Sequence, residues 1–377
     1  MILQNASVFV DGRFTNKDVE IEDGRFLRVL PCHSPVKEGK ASVDCTGKRI
    51  LPGLIEIHSH GCVGYDFSTA SASEIGQMLS YYAKHGVTAV AATTMTMGIE
   101  PYKEAMRQIK LAAESDYPGS MLAGINMEGP FLGKSKKGAH DPQFLIGIDE
   151  ALFEELDALS GKRIRIVDLD PELEGAMEFI EKYRKEKTLS IAHTSCTYDT
   201  ARMAFEKGCN HITHLFNAMN GLHHREPGIV GALYDSPVQA ELICDGIHIH
   251  PAVIRMMFAL CPEKLILISD SMCACGLTDG EYVLGGLNVT VSGKKAALKD
   301  GTIAGSVTNV YDCMVNAIRF GVKEEEAVLS ATIRPARALG LDHLIGSIEA
   351  GKQADFVIAD KDYQIEQVYC KGQKITE

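Results

Sequence analysis

Between residues 54 and 270, short apolar runs rich in β-branched residues alternate with stretches of helical periodicity. The strand-like runs fall at 54–60, 86–94, 121–128, 163–169, 188–194, 211–216, 239–245 and 264–270. Helical patterns fill most gaps, at 73–85, 100–115, 149–160, 172–186, 197–208 and 251–260, and Ser71-Ala-Ser-Glu74 reads as a capping box for the first of them. The connection at 217–238 is the least regular, with Gly228-Ile-Val-Gly-Ala-Leu-Tyr234 as its best helical piece. Several strand-like runs are continuously apolar, the mark of strands covered on both faces. Eight strands alternating with helices predict an α/β fold, a (β/α)8 TIM-like barrel, with helices at 307–320 and 323–338 completing it.

The two ends carry a different pattern. Residues 1–50 read as short strands with turns at Asp11-Gly12, Asp23-Gly24 and Thr46-Gly47, and residues 345–376 read the same way. Residues 1–51 and 341–377 are therefore expected to pair into one small β-sandwich domain beside a barrel spanning 52–340. The Gly-rich, alternating stretch 276–304 reads as a hairpin inserted after the eighth strand.

Composition narrows the class. A chain of 377 residues has room for a barrel of about 250 residues plus an extra module. With 45% apolar and 23% charged residues, a large core is available and disorder is excluded. A net charge of −12 without a basic cluster argues against nucleic acid or an anionic membrane as partner. The start of the chain alternates like a strand and lacks the basic region and cleavage site of a signal peptide. No run of about 18 uninterrupted apolar residues occurs, so no membrane span is expected. Eleven cysteines without framework spacing predict buried, reduced thiols in a cytoplasmic protein.

Candidate chemistry sits at the ends of the predicted strands, where enzymes on this fold place their sites. The first strand ends in His58-Ser-His60, and side chains two apart on a strand share a face. Glu128 ends the third, His193 the fifth, His214 lies on the sixth and Asp270 closes the eighth. These are all nitrogen and oxygen ligands with no paired cysteine, a set suited to a catalytic metal that keeps a water. Cys273-Ala-Cys275 follows Asp270 closely and is read as a pair of thiols outside that set.

The His-x-His on strand one, the histidines on five and six and the aspartate on eight resemble the amidohydrolase superfamily. Within it the chain is similar to the N-acetylglucosamine-6-phosphate deacetylases. The matching segments are Met127-Glu-Gly-Pro-Phe131, Lys137-Gly-Ala-His140, His193-Thr194, His214-Leu-Phe-Asn-Ala-Met219, Arg225-Glu-Pro-Gly228, Asp245-Gly-Ile-His248, Ser269-Asp270 and Gly346-Ser-Ile348. Much of the superfamily bridges its metals with a carboxylated lysine on strand four. That strand has no such lysine here, and Glu128 takes its place, as in the deacetylases.

The resemblance implies hydrolysis of the N-acetyl group of a phosphorylated amino sugar, a small-molecule phosphosugar substrate and a homodimer. It assigns Glu128, His193 and His214 to the metal common to the family, and His58 and His60, bridged by Glu128, to a second. The cofactor is one or two divalent ions per chain, Zn, Fe, Mn or Co. Such an ion polarises the amide carbonyl and acidifies water. Asp270 then takes the proton of the attacking water and returns it to the departing amine, and His140 hydrogen-bonds the acetyl oxygen. Asn217, Ala218 and Arg225 are assigned to the phosphate, with His223 and His224 as neighbours. His248 is assigned to the sugar hydroxyls, and Ala139, Asp245, Gly246, Ile247, Ile303, Ala304 and Gly305 to the substrate pocket. The galacto epimer of the substrate fits the same chemistry. Another amidohydrolase, such as a dihydroorotase or an aminoacylase, fits Asn217-Ala218 and Arg225 less well. A catalytically inactive phosphosugar-binding protein fits the intact Asp270 and ligand set less well.

Overall fold

The computed structural model describes residues 1–35 and 39–376. Eight parallel strands, Leu54–Ser59, Val87–Thr94, Met121–Glu128, Ile164–Leu169, Thr188–Ile191, His211–Ile212, Gln239–Ile243 and Leu265–Ile268, each pair with the next in chain order. They are barrel strands one to eight below. The barrel closes where Asp270 N donates to His58 O at 2.9 Å and His60 N to Ser271 O at 2.8 Å, beside a parallel bridge between Ser59 and Ser271.

Alternation along the strands builds two apolar layers. On strand two, Ala89 and Ala91 join the interior cluster with Ile55, Ile57, Ile166, Ile266 and Ile268, while Val87, Val90 and Ala92 join the layer under the surrounding helices. Ala336, Leu339 and Ile345 belong to the same interior cluster and bring it the segment that follows the last helices. Strand one departs from strict alternation: its register with strand two shifts between Glu56 and Ser59. The shift follows Ile55 and Ile57 and leaves His58 and His60 at the barrel mouth above them.

Helices separate the strands as the periodicity predicts, with ends trimmed by local chemistry. The expected 172–186 helix runs Ala176–Tyr183, starting after Gly175 at φ 83°. The expected 323–338 helix is two, Glu324–Ala331 and Ile333–Ala338, broken at Thr332 with φ −130° and ψ −87°. Pro335, which has no N–H to give the turn before it, sits just past the break. Strand six is much shorter than the expected 211–216, because the backbone turns left-handed at His214 (φ 26°) and Phe216 (φ 77°).

Strands from both chain ends share one mixed sheet in the order Gln373–Lys374, Ile365–Cys370, Phe356–Ala359, Arg49–Pro52, Ile2–Val10, Arg13–Glu22, Arg25–Pro31, with Ser42–Asp44 also on Ile2–Val10. The two Asp-Gly turns adopt the left-handed pairs that tight hairpins require, Asp11 and Gly12 at φ 50° and 73°, Asp23 and Gly24 at φ 48° and 72°. The insert after strand eight is a four-stranded antiparallel meander, Gly280–Leu284, Leu287–Ser292, Lys295–Leu298 and Ile303–Ser306, two strands more than a single hairpin. A parallel bridge from Ser271 to Ser306 ties its last strand to the barrel mouth.

Candidate metal centre and catalytic cavity

Glu128, at the end of strand three, is the hub of the mouth. Its Oε1 lies 2.9 Å from His214 Nε2, 3.1 Å from His193 Nε2 and 3.6 Å from His58 Nε2. Its Oε2 lies 3.2 Å from His60 Nε2 and 3.5 Å from His140 Nε2. Asp270 Oδ1 stands 3.2 Å from His60 Nε2 and 3.8 Å from His58 Nε2. The sets His58–His60–Asp270, His58–Glu128–His214 and Glu128–His140–His193 each bring their ligand atoms within 4.8 Å of one another. All these side chains are buried.

The far nitrogen of several rings is fixed by a partner, which aims Nε2 at the hub. His58 Nδ1 pairs with Glu241 Oε2 at 2.8 Å, His193 Nδ1 with the Lys136 carbonyl at 2.8 Å, and His140 Nδ1 with Thr96 Oγ1 at 2.9 Å. His193, His214 and Asp270 hold positive φ values of 45°, 26° and 50°, a conformation that L-residues with side chains adopt only where surrounding structure imposes it.

The electrostatics match a site built for a cation. Burial works against the charged form of Glu128, but His58 and His140 outweigh it and hold the carboxyl well below its usual range. Asp270 is likewise depressed, burial being overcome by the hydrogen bond from His60 and the charge of His58. Burial pushes the His193 imidazole down to about 4, so it is neutral at physiological pH with a lone pair to offer. Against burial, the carboxylates of Asp270 and Glu128 push His60 up to about 10.

Two further features fit a metal. Among the described residues, the buried Nε2 of His58 has no hydrogen-bond partner. The Nε2 atoms of His193 and His214 lie 3.1 Å apart, and two imidazole lone pairs meet at that distance only with a proton or cation between them. Imidazole and carboxylate donors suit first-row divalent ions.

A cavity of about 490 Å³ opens over this centre. Of the residues expected in the substrate pocket, Ala139, His140, Asn217, Ala218, His248, Ile303 and Gly305 line it. Ala304 is buried within the meander cluster. Asp245 does not line the cavity; it accepts from His248 Nδ1 at 2.7 Å and from the backbone N–H groups of Ile247 and His248, so it aims the His248 ring. Gly246 and Ile247 form that turn and lie outside the lining. Arg225 is not brought to the cavity: it is exposed, with its guanidinium 2.7 Å from His224 Nε2.

Sequence reasoning missed Lys136, Lys137, Asp300 and Thr302, which line the cavity, and Glu241, which holds His58. The signals were present: a Lys134-Ser-Lys-Lys137 run directly before Gly-Ala-His140, and an acid inside the apolar strand Gln239–Ile243.

The loop carrying Lys136 and His140 is anchored where Gly133 N donates to the His193 carbonyl at 3.0 Å. A Cβ at Gly133 would stand 2.6 Å from that carbonyl oxygen and 2.3 Å from Asp170 Oδ2. Gly133→Ala is therefore expected to cost about 1–3 kcal/mol of stability through overpacking and to weaken substrate affinity by displacing the loop. Thermal unfolding and KM check this; an alanine variant matching the parent in both would show that the loop accommodates the methyl elsewhere.

A closed parallel barrel whose mouth gathers imidazoles around a shared carboxylate, with a second carboxylate beside them, defines a metal-dependent hydrolase. The chain belongs to the amidohydrolase family, whose model matches residues 49–375. It is 37% identical over 367 residues to the N-acetylglucosamine-6-phosphate deacetylase of Bacillus subtilis (strain 168), covering 95% of this chain and 92% of that protein. It is 33% identical over 366 residues to the N-acetylgalactosamine-6-phosphate deacetylase of Escherichia coli O157:H7, covering 96% of each. Among solved structures, a mutant of the N-acetyl-D-glucosamine-6-phosphate deacetylase of Mycobacterium smegmatis in complex with N-acetyl-D-glucosamine-6-phosphate superposes with a TM-score of 0.93 at 30% identity, covering 100% of this chain and 99% of that one. Among the described residues, no helix is long and apolar enough to cross a membrane.

Proposed function

We propose that the protein hydrolyses the N-acetyl group of N-acetyl-D-glucosamine 6-phosphate to glucosamine 6-phosphate and acetate, using divalent metal. The observation that carries the reading is the convergence of five imidazoles and Asp270 on Glu128 at the floor of a sugar-sized cavity. Glu128, His193 and His214 would hold one ion. His58 and His60, with Glu128 shared, would hold a second, beside Asp270. When bound, the metal polarises the acetyl carbonyl and makes water acidic enough to be deprotonated near neutral pH.

The chain's own groups supply the rest. Asp270 Oδ1, ionised beside His60, accepts the proton as the water oxygen bonds to the acetyl carbon, and passes it to the nitrogen as the C–N bond breaks. His140, locked through Nδ1 by Thr96, presents Nε2 to the acetyl oxygen as negative charge develops there. His248, aimed by Asp245, faces the sugar hydroxyls. Asn217, Ala218, Lys136 and Lys137 all line the cavity, and backbone amides with nearby ammonium groups would suit the phosphate.

Arg225 is exposed, next to the exposed Leu222. We read the pair as part of a homodimer contact through which Arg225 reaches the phosphate in a neighbouring copy, in a cytoplasmic enzyme. Losing a charge-assisted contact of about 1.5–3 kcal/mol, Arg225→Ala is expected to raise KM for the phosphorylated substrate about 10- to 100-fold and to leave the unphosphorylated sugar unaffected. Equal loss on both substrates would remove Arg225 from the phosphate site.

The galacto epimer is the second reading, favoured by the Escherichia coli relative named for it. Acetate release from both 6-phosphates, with metal content measured on the same sample, tests the proposal. Absence of acetate from either substrate would overturn it, and kcat/KM on the two epimers ranks them.

A further inference from the structure

Glu241 lies inside barrel strand seven, fully buried, in the run Gln239-Ala-Glu-Leu-Ile243. A buried carboxylate in an apolar strand is costly unless its oxygens are satisfied. All of its partners here are groups of the candidate metal centre or next to it. Oε2 sits 2.8 Å from His58 Nδ1 and accepts from the backbone N–H of His214 at 3.1 Å, and Oε1 sits 3.1 Å from His211 Nε2. His58 lies at the end of strand one and His214 after strand six, and His214 is the residue with φ 26° that leaves the strand early. One carboxylate thus touches a ligand candidate of each proposed metal position from behind.

An ionised carboxylate only accepts hydrogen bonds, so its contact with His58 puts the ring proton on Nδ1. Nε2, the buried atom that among the described residues has no hydrogen-bond partner and that faces Glu128 at 3.6 Å and Asp270 at 3.8 Å, is then the nitrogen whose lone pair a metal would take. We infer that Glu241 is a positioning residue that sets the His58 tautomer and the His214 backbone, and so supports both metal positions at once. The inference rests on the metal reading given above. Residues that orient a ligand in this way are worth about 10- to 100-fold in metal affinity.

The test uses full-length protein stripped with a chelator and titrated with Zn²⁺, as wild type, Glu241→Met and Glu241→Gln. Glu241→Met fills the space without accepting hydrogen bonds, and its zinc affinity should fall about 10- to 100-fold. Glu241→Gln should recover most of the loss, because its amide oxygen can still accept from His58 Nδ1–H and His214 N while its NH₂ donates to His211 Nε2, the His211 ring proton moving to Nδ1. A merely space-filling role would give the opposite order or no difference. The proposal is overturned if folded Glu241→Met binds zinc as wild type does, or if Glu241→Gln is no better than Glu241→Met.

Should Glu241→Met fail to fold, the imidazole ¹⁵N shifts of His58 in wild-type apoprotein decide the matter. A proton on Nδ1 is expected, and an Nδ1 without a proton sinks the assignment. A wild type that binds no zinc would overturn the metal reading of the centre, and the tautomer measurement would still judge Glu241 separately.

Discussion

Asp270→Asn is expected to lower kcat for acetate release by about 10²- to 10⁴-fold, the range that a positioned general acid–base contributes. The substitution keeps shape and one oxygen but removes the ability to take a proton. The backbone is held independently of the side chain, by Asp270 N donating to His58 O at 2.9 Å and Ser306 N donating to Asp270 O at 2.7 Å, so the barrel closure should survive. Substrate binding should survive as well, because Asn217, Ala218 and His248 reach the cavity from other strand ends. The expected pattern is a collapse of kcat with KM within a few-fold and metal content retained. Because His60 and His58 hold Asp270 below the usual carboxylate range despite its burial, the base is ionised at neutral pH. Activity dependent on it falls only as pH drops through that lowered value. Steady-state kinetics with zinc analysis on the same preparation check this. An asparagine variant within threefold of wild-type kcat would take the proton transfer away from Asp270.

The parts of this site legible in the sequence are those whose geometry follows from strand ends. Glu128, His193, His214 and Asp270 end or follow short β-rich runs that alternate with helical patterns, and a parallel barrel points every such end to one mouth. His58 and His60 were found through their two-residue spacing, but the register shift after Glu56 contributes to placing them, and no periodicity encodes a bulge. The early turn at His214 was hidden for a similar reason, since its left-handed backbone is imposed by packing and by Glu241 rather than by local propensity. Arg225 was read into the cavity from a motif, yet a motif says nothing about which way an exposed loop carries a guanidinium. Glu241 and Lys136 act from behind the ligands, one through a carboxylate and one through a backbone carbonyl. Such contacts span 183 and 57 residues of chain, so the acid inside strand seven and the lysine run mark the residues but not the rings they hold.

Glu128→Gln should be the most damaging single change, because Glu128 is the ligand assigned to both proposed metal positions. Its two oxygens face five imidazole nitrogens between 2.9 and 3.6 Å, and among the described residues no other carboxylate pairs with the imidazole of His193 or His214. Glutamine preserves the volume and one oxygen but removes the charge that draws these rings together, and its NH₂ would point a donor at nitrogens needed as lone-pair donors. Both ions should be lost or greatly weakened, and acetate release with them. Lewis-acid activation worth several kcal/mol corresponds to a fall of about 10³-fold or more. His58→Ala, by contrast, removes a ligand of one position only and should leave about one metal equivalent per chain if two are bound in the wild type. The two variants together separate a shared ligand from a single-site one. Zinc stoichiometry and acetate release measured side by side give the answer, and a glutamine variant that keeps wild-type metal content would show that Glu128 does not bridge.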